Sequence, residues 1–157
     1  MSEPPYQALE GELFPEIHNP TDLNVPLDHS VMREILLEIE KSEQIQFAFL
    51  EVVCVEEEEI LRINREYLGH DHVTDTITFR HDDDNGSQHL EGSLFLCLSR
   101  IIEQSKEFDT IYINEFCRVY IHSLLHLAGY EDKIETDREE MKKREEYYLA
   151  RFANKLE

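Results

Sequence analysis

The segment from Asp109 to Asp132 constrains this chain more than any other. Ile113, Phe116, Tyr120, Leu124 and Leu127 recur at helical spacing. They predict a long helix, capped by Asp109 or Thr110 and running to about Ala128. Such an apolar stripe has to be buried against other elements. Gly129 follows and can take the left-handed conformation that ends a helix. Within the same helix His122 and His126 stand at i and i+4, where Cβ atoms lie about 5–6 Å apart, so both imidazoles can reach one ion. The chain then reverses, which lets Asp132 swing back toward them. Two histidines and one carboxylate leave a fourth position for water, the arrangement of a catalytic rather than a structural zinc site.

The spacing His-x-x-x-His-x-x-Gly, with a ligand three residues on, is also that of the metzincin metalloproteases. Glu131 competes with Asp132 for the third place, and the spacing favours Asp132. A zincin peptidase places Glu directly after the first histidine as its general base. Here that position is Ser123, which cannot act as that base, so the usual peptidase chemistry loses its main support.

Residues 1–24, punctuated by Pro4, Pro5, Pro15 and Pro20, read as a loosely structured lead-in, and residues 25–157 as a single domain. Asp28 suits the N-cap of a helix with Val31, Ile35, Leu36 and Ile39 on its apolar face. Gln46–Val55 reads as a buried strand. Glu57–Leu68 reads as a helix with an acidic first turn and Gly69 at its stop. Asp75–Phe79 and Ser93–Leu98 are further strands. Between them the polar stretch from His81 to His89 contains the turn signal Asn85-Gly86. A helix over Ser99–Phe108 precedes the histidine helix. Thr136 and Glu139 form a capping-box pattern ahead of a charged C-terminal helix with Met141, Tyr148, Leu149 and Phe152. The order predicts one α+β domain, a small mixed β-sheet packed with about five helices, one of them a zincin-like metal-binding helix.

Composition narrows the function classes. A length of 157 residues fits one domain with a real core, of soluble globular composition. Cys54, Cys97 and Cys117 are odd in number and set in apolar runs, which reads as buried thiols in a reducing compartment. The acidic start Met1-Ser-Glu-Pro-Pro-Tyr6 lacks the features of a signal peptide. No apolar stretch approaches the roughly 20 residues needed to span a bilayer. The expectation is a cytoplasmic protein with no membrane partner. Fifteen basic residues against thirty-five acidic ones give a net charge of −20, which argues against generic affinity for phosphate backbones. Glu56-Glu57-Glu58-Glu59, Asp82-Asp83-Asp84 and the C-terminal helix hold much of that charge and read as solvated faces. A polyanionic substrate must then be held by the metal and a local basic patch.

With these residues in hand, the chain resembles the YbeY family of bacterial endoribonucleases, whose signature is His-Gly-x-Leu-His-Leu-x-Gly-Tyr-Asp-His. The match is His122-Ser-Leu-Leu125-His126-Leu127-Ala-Gly129-Tyr130-Glu131-Asp132. Upstream, Ile63-Asn64-Arg-Glu-Tyr67 resembles the family's Leu-Asn-x-x-Tyr block, and Thr74-Asp75-Thr-Ile77-Thr78-Phe79 its Thr-Asp-x-Leu-Ser-Phe block. Gly92-Ser93-Leu94 aligns with its Gly-Asp-Ile strand, and the order holds over roughly residues 30–150. Four positions depart from the pattern. Asp132 stands for the third histidine, Leu68 for an arginine after the tyrosine, Ser93 for the aspartate, and Ser123 for the glycine after the first histidine.

The resemblance implies one Zn2+ per chain on His122, His126 and Asp132. It also implies a single-strand-specific endoribonuclease acting in 16S rRNA 3′-end maturation, rRNA processing and ribosome quality control, with ribosomal RNA and ribosomal proteins as partners. Chemically this is metal-assisted hydrolysis of a phosphodiester. Asn64, Thr74 and Asp75 are candidates to shape the cleft, with helix packing and strand capping as their structural alternative. Arg62, Arg65, Arg80, His70 or His72 could replace the missing arginine. Two other readings stay open. One is a metal-dependent hydrolase of another substrate, such as a peptide. The other is a non-catalytic ribosome-assembly factor with a structural zinc, whose acidic surface would suit a basic ribosomal protein.

Overall fold

Gln46–Val55 is a strand over its full expected span, and the sheet is built around it. The computed structural model describes residues 14–82 and 89–156, so most of the lead-in, Asp83-Asp84 and the Asn85-Gly86 turn lie outside the described residues. In chain order the elements are β1 (Glu16–His18), α1 (His29–Glu43), β2 (Gln46–Val55), α2 (Glu57–Ile63), β3 (Thr76–Arg80), β4 (His89–Cys97), α3 (Leu98–Glu107), α4 (Tyr112–Leu127) and α5 (Glu135–Arg151). A short 3-10 turn, Ala153–Lys155, follows. The sheet order is β1-β2-β4-β3, with β1, β2 and β4 parallel and β3 antiparallel at the edge. This is the expected α+β domain with a mixed sheet.

Alternation along β2 serves two cores. Leu50, Val52 and Cys54 join α1, α4 and α5 in the larger one. Val53 and Val55 face a smaller cluster with Ile60 and Ile63 of α2, Ile77 and Cys97. Burial on both faces is why β2 reads as an almost continuous apolar run. Full burial of a side chain such as Leu50 or Ile35 contributes about 1.5–3 kcal/mol.

The α4 helix is buried well beyond a single stripe. Phe116, Cys117, Tyr120, Ile121, Leu124 and Leu125 are all inaccessible to solvent. Its C-terminal end presses on the sheet at Gly92, where an added Cβ would lie 2.6 Å from Leu127 Cδ1. The missing side chain therefore sets how closely the histidine-bearing turn approaches β4.

Several boundaries differ from the sequence reading. Glu16–His18, inside the expected lead-in, pairs in parallel with Glu51–Val53. So short a strand between Pro15 and Pro20 carries too little run length to be recognised. The α4 N-cap is Ile111 rather than Asp109 or Thr110, because Asp109 adopts positive φ in the turn leaving α3. The capping box at Thr136 and Glu139 does not form, since α5 begins at Glu135 and Thr136 already lies inside it. The helix expected to reach Leu68 does so by widening into a π-helical turn over Asn64–Leu68, closed by Gly69 at φ 71°. The strand expected over Ser93–Leu98 starts earlier, at His89.

Candidate metal centre

The α4 helix ends in a paired reversal. Gly129 N–H donates to His126 O at 3.0 Å and Tyr130 N–H to Leu125 O at 3.0 Å, with Gly129 at φ 114°. That turn carries Asp132 back over the helix end. Asp132 Oδ2 lies 3.1 Å from His126 Nε2 and 3.5 Å from His122 Nε2. The two imidazole rings are 4.6 Å apart and nearly perpendicular, at 84°. Zinc–nitrogen and zinc–oxygen bonds near 2.1 Å place tetrahedral ligand atoms about 3.4 Å apart, so these separations suit one small ion. The expected trio is thus brought together.

The far ring nitrogens are also engaged. His126 Nδ1 meets the Tyr130 carbonyl at 3.0 Å, and His122 Nδ1 hydrogen-bonds Glu145 of α5. Acceptors on both Nδ1 atoms offer a place for the ring protons, the tautomer that would free each Nε2 to bind an ion beside Asp132. Glu145 is buried, only 7% exposed along its side chain, and its second oxygen lies 3.5 Å from Arg118 Nη1. Sequence reasoning missed Glu145 by treating the charged helix as a solvated face. The available signal was its place between Met141 and Tyr148, the other two buried positions of that helix.

A second cluster of possible ligands, Glu16, His18 and Glu51, lies on β1 and β2. Its histidine is half-exposed and already sits 3.3 Å from Glu16, a hydrogen-bond contact, and 3.8 Å from Glu51, at the sheet surface.

The remaining candidates divide. Ser123 is fully buried; its hydroxyl donates to the Val119 carbonyl at 2.8 Å and lies 2.8 Å from Thr76 Oγ1, linking α4 to β3. Ser93 is buried between Glu51 and His81, at 2.6 and 2.7 Å. Leu68 is 46% exposed. Arg62, Arg65 and Arg80 are each ion-paired, to Glu59 and Glu66, to Asp71, and to Asp82 respectively. His70 and His72 stack on one another. Asn64 is buried and donates to the His72 carbonyl at 2.8 Å, holding the loop after α2. Thr74 donates to Asp75 at 3.3 Å, and Asp75 accepts from Gln104 at 3.0 Å.

The basic side chains beside the cluster come from elsewhere. A cleft of about 450 Å³ is lined by His122 and Asp132 together with Arg118, Arg138 and Lys142. None of these three cations was singled out from the sequence. Arg138 and Lys142 sit within the most acidic helix, and Arg118, four residues before His122 on α4, was overlooked although its spacing puts it on the same face.

Fold and site define a single-domain α+β protein whose two-histidine, one-carboxylate group is able to bind a metal ion. The chain belongs to the YbeY family: the profile described as endoribonuclease YbeY matches residues 17–153. An endoribonuclease YbeY of Chlorobium phaeobacteroides strain BS1 is 42% identical over 137 residues, covering 87% of this chain and 96% of the relative. The protein of that name from Chlorobium limicola is 35% identical over 127 residues, covering 81% and 86%. A Thermotoga maritima protein of known solution structure superposes with a TM-score of 0.59 at 28% identity, covering 88% of this chain and 92% of that one.

Proposed function

We propose that this chain is a metal-dependent endoribonuclease that hydrolyses ribosomal RNA precursors, with one Zn2+ held by His122, His126 and Asp132. The observation that carries the reading is the convergence of both Nε2 atoms on Asp132 Oδ2 with each Nδ1 already occupied. Membership of a family named for endoribonuclease activity supports RNA as the substrate. A divalent ion in such a site supplies Lewis-acid polarisation of a phosphoryl oxygen and lowers the pKa of water to about 7.

The chain's own residues do the rest. His122 and His126 would hold the ion through Nε2, and Asp132 would add a carboxylate oxygen where the family pattern has a third histidine. Arg118, Arg138 and Lys142 line the same cleft, although Glu145 and Glu146 line it too. Arg118 is already paired with Glu115 and Glu145, and Arg138 with Glu135, so a phosphate would have to share those two guanidiniums with carboxylates. The three cations take the place of the family's arginine, whose position here is Leu68. Ser123 is turned into the helix and supplies no base, which leaves peptide hydrolysis without support. Single-strand specificity, 16S rRNA 3′-end maturation, quality control, contacts with ribosomal proteins and a cytoplasmic location complete the proposal. No helix among the described residues is long and apolar enough to cross a membrane.

Elemental analysis and an RNA-cleavage assay on wild type and His126→Ala test it. Wild type should carry one zinc per chain and cleave precursor RNA, and the folded variant should lose both. Intact RNA in the presence of stoichiometrically loaded wild type would sink the nuclease reading. Unfolding of the variant would instead give the ion a structural role.

A further inference from the structure

Glu145 is the first member of a longer buried chain of polar groups. Its oxygen facing away from His122 lies 3.5 Å from Arg118 Nη1. Arg118 also grips Glu115 through two nitrogens, with Nε at 3.1 Å. Gln104 spends both amide hydrogens on two carboxylates, Glu115 at 2.9 Å and Asp75 at 3.0 Å. Asp75 is itself fixed where β3 begins, because its carbonyl accepts from Cys97 N–H at 2.9 Å. The path from His122 to Asp75 thus crosses α5, α4 and α3 and ends on the sheet edge, with Glu145, Glu115 and Gln104 all buried.

Burying so many charges is costly unless each is paired, and a partly satisfied network is worse than an apolar core. Along this path three carboxylates face a single guanidinium. Burial works against the charge on Arg118, yet the bond to Glu115 and the charges of Glu115, Glu145 and Asp75 outweigh it and push its pKa up. The net negative potential ends at His122, whose Nε2 opens on the candidate ion site. Such an arrangement both orients the imidazole and favours a cation there.

We propose that Asp75 is a positioning residue for the metal centre, acting on His122 through the buried relay of Gln104, Glu115, Arg118 and Glu145. This gives a role to the Thr74-Asp75 block, which touches no ligand. The inference rests on the metal-site reading above.

The test measures zinc affinity by chelator competition, the His122 Nδ1–H resonance by NMR, and the melting temperature of metal-free protein. The variants are Asp75→Asn, Glu145→Gln and His126→Ala. Glu145→Gln should weaken zinc about 10–100-fold, the range for partners of metal ligands, and Asp75→Asn up to about tenfold. Both should shift the His122 Nδ1–H resonance. Wild-type affinity and an unmoved resonance in Asp75→Asn would overturn the proposal, even if its melting temperature falls, because a merely structural network would move stability alone. Should Glu145→Gln fail to fold, Asp75→Asn decides the matter. If His126→Ala binds zinc like wild type, the metal-site reading fails instead, and that result is separate from the relay.

Discussion

Ser123 occupies the position where a zinc peptidase keeps its general base, and its surroundings show what the hydroxyl does here. It donates to the preceding helical turn and meets Thr76, so it joins α4 to β3 rather than facing the cleft. Ser123→Ala is therefore expected to keep RNA cleavage within about twofold while losing hydrogen bonds worth about 1 kcal/mol. That corresponds to a fall of about 2–4 °C in melting temperature for a domain of this size; a collapse of cleavage in well-folded Ser123→Ala would reinstate it as a catalytic group. The cysteines behave as their apolar settings suggested: burial pushes the Cys54 and Cys117 thiols up to about 12. At this scale, legibility followed distance along the chain. His122, His126 and Asp132 sit within one helix end and its turn, where spacing alone predicts geometry. Glu145 reaches the site only through the packing of α5 on α4, and no local pattern announces that contact. Arg118, one helical turn before His122 on the same face of α4, was legible from spacing and was passed over.

At the scale of elements, α1, α5 and the loop bearing Asp132 are tied at one carboxylate. Glu43, at the end of α1, accepts from Tyr130 at 2.9 Å, Arg144 at 2.6 Å and Tyr148 at 2.5 Å. Burial alone would raise its pKa, but those three bonds outweigh it and hold the carboxyl below its ordinary value of 4.5. A depressed folded pKa contributes stability above the unfolded value and loses it as pH falls through the folded one. Wild type should thus lose stability as the pH drops below about 4.5. Glu43→Gln should be less stable at pH 7, by about 1–3 kcal/mol, with the gap closing in acid. A constant gap across thermal melts at several pH values would rule this out. The elements best anticipated, β2 and the stripe of α1, were those whose periodicity is imposed by burial. Those mislaid, β1 and the caps of α4 and α5, depend on backbone geometry: a three-residue pairing, a left-handed Asp109, and helix starts with no side-chain cap bond.

For the whole molecule, a net charge of −20 sets the approach of RNA. Repulsion at long range is screened as salt shortens the Debye length from about 30 Å at 0.01 M to about 10 Å at 0.1 M. Cleavage at limiting substrate should therefore rise, by up to about tenfold, over that range. Basic nucleases do the reverse, because salt weakens their phosphate contacts. A rate that falls steadily with salt would mean that Arg118, Arg138 and Lys142 govern encounter as well as docking. The reversal at Gly129 has a thermodynamic consequence of its own. Because it gathers the proposed ligands from the single stretch His122–Asp132, an unfolded chain keeps them close together and retains some hold on the ion. Binding to both states cancels part of the linkage, so zinc should raise the folding free energy by less than its affinity for the native protein would imply.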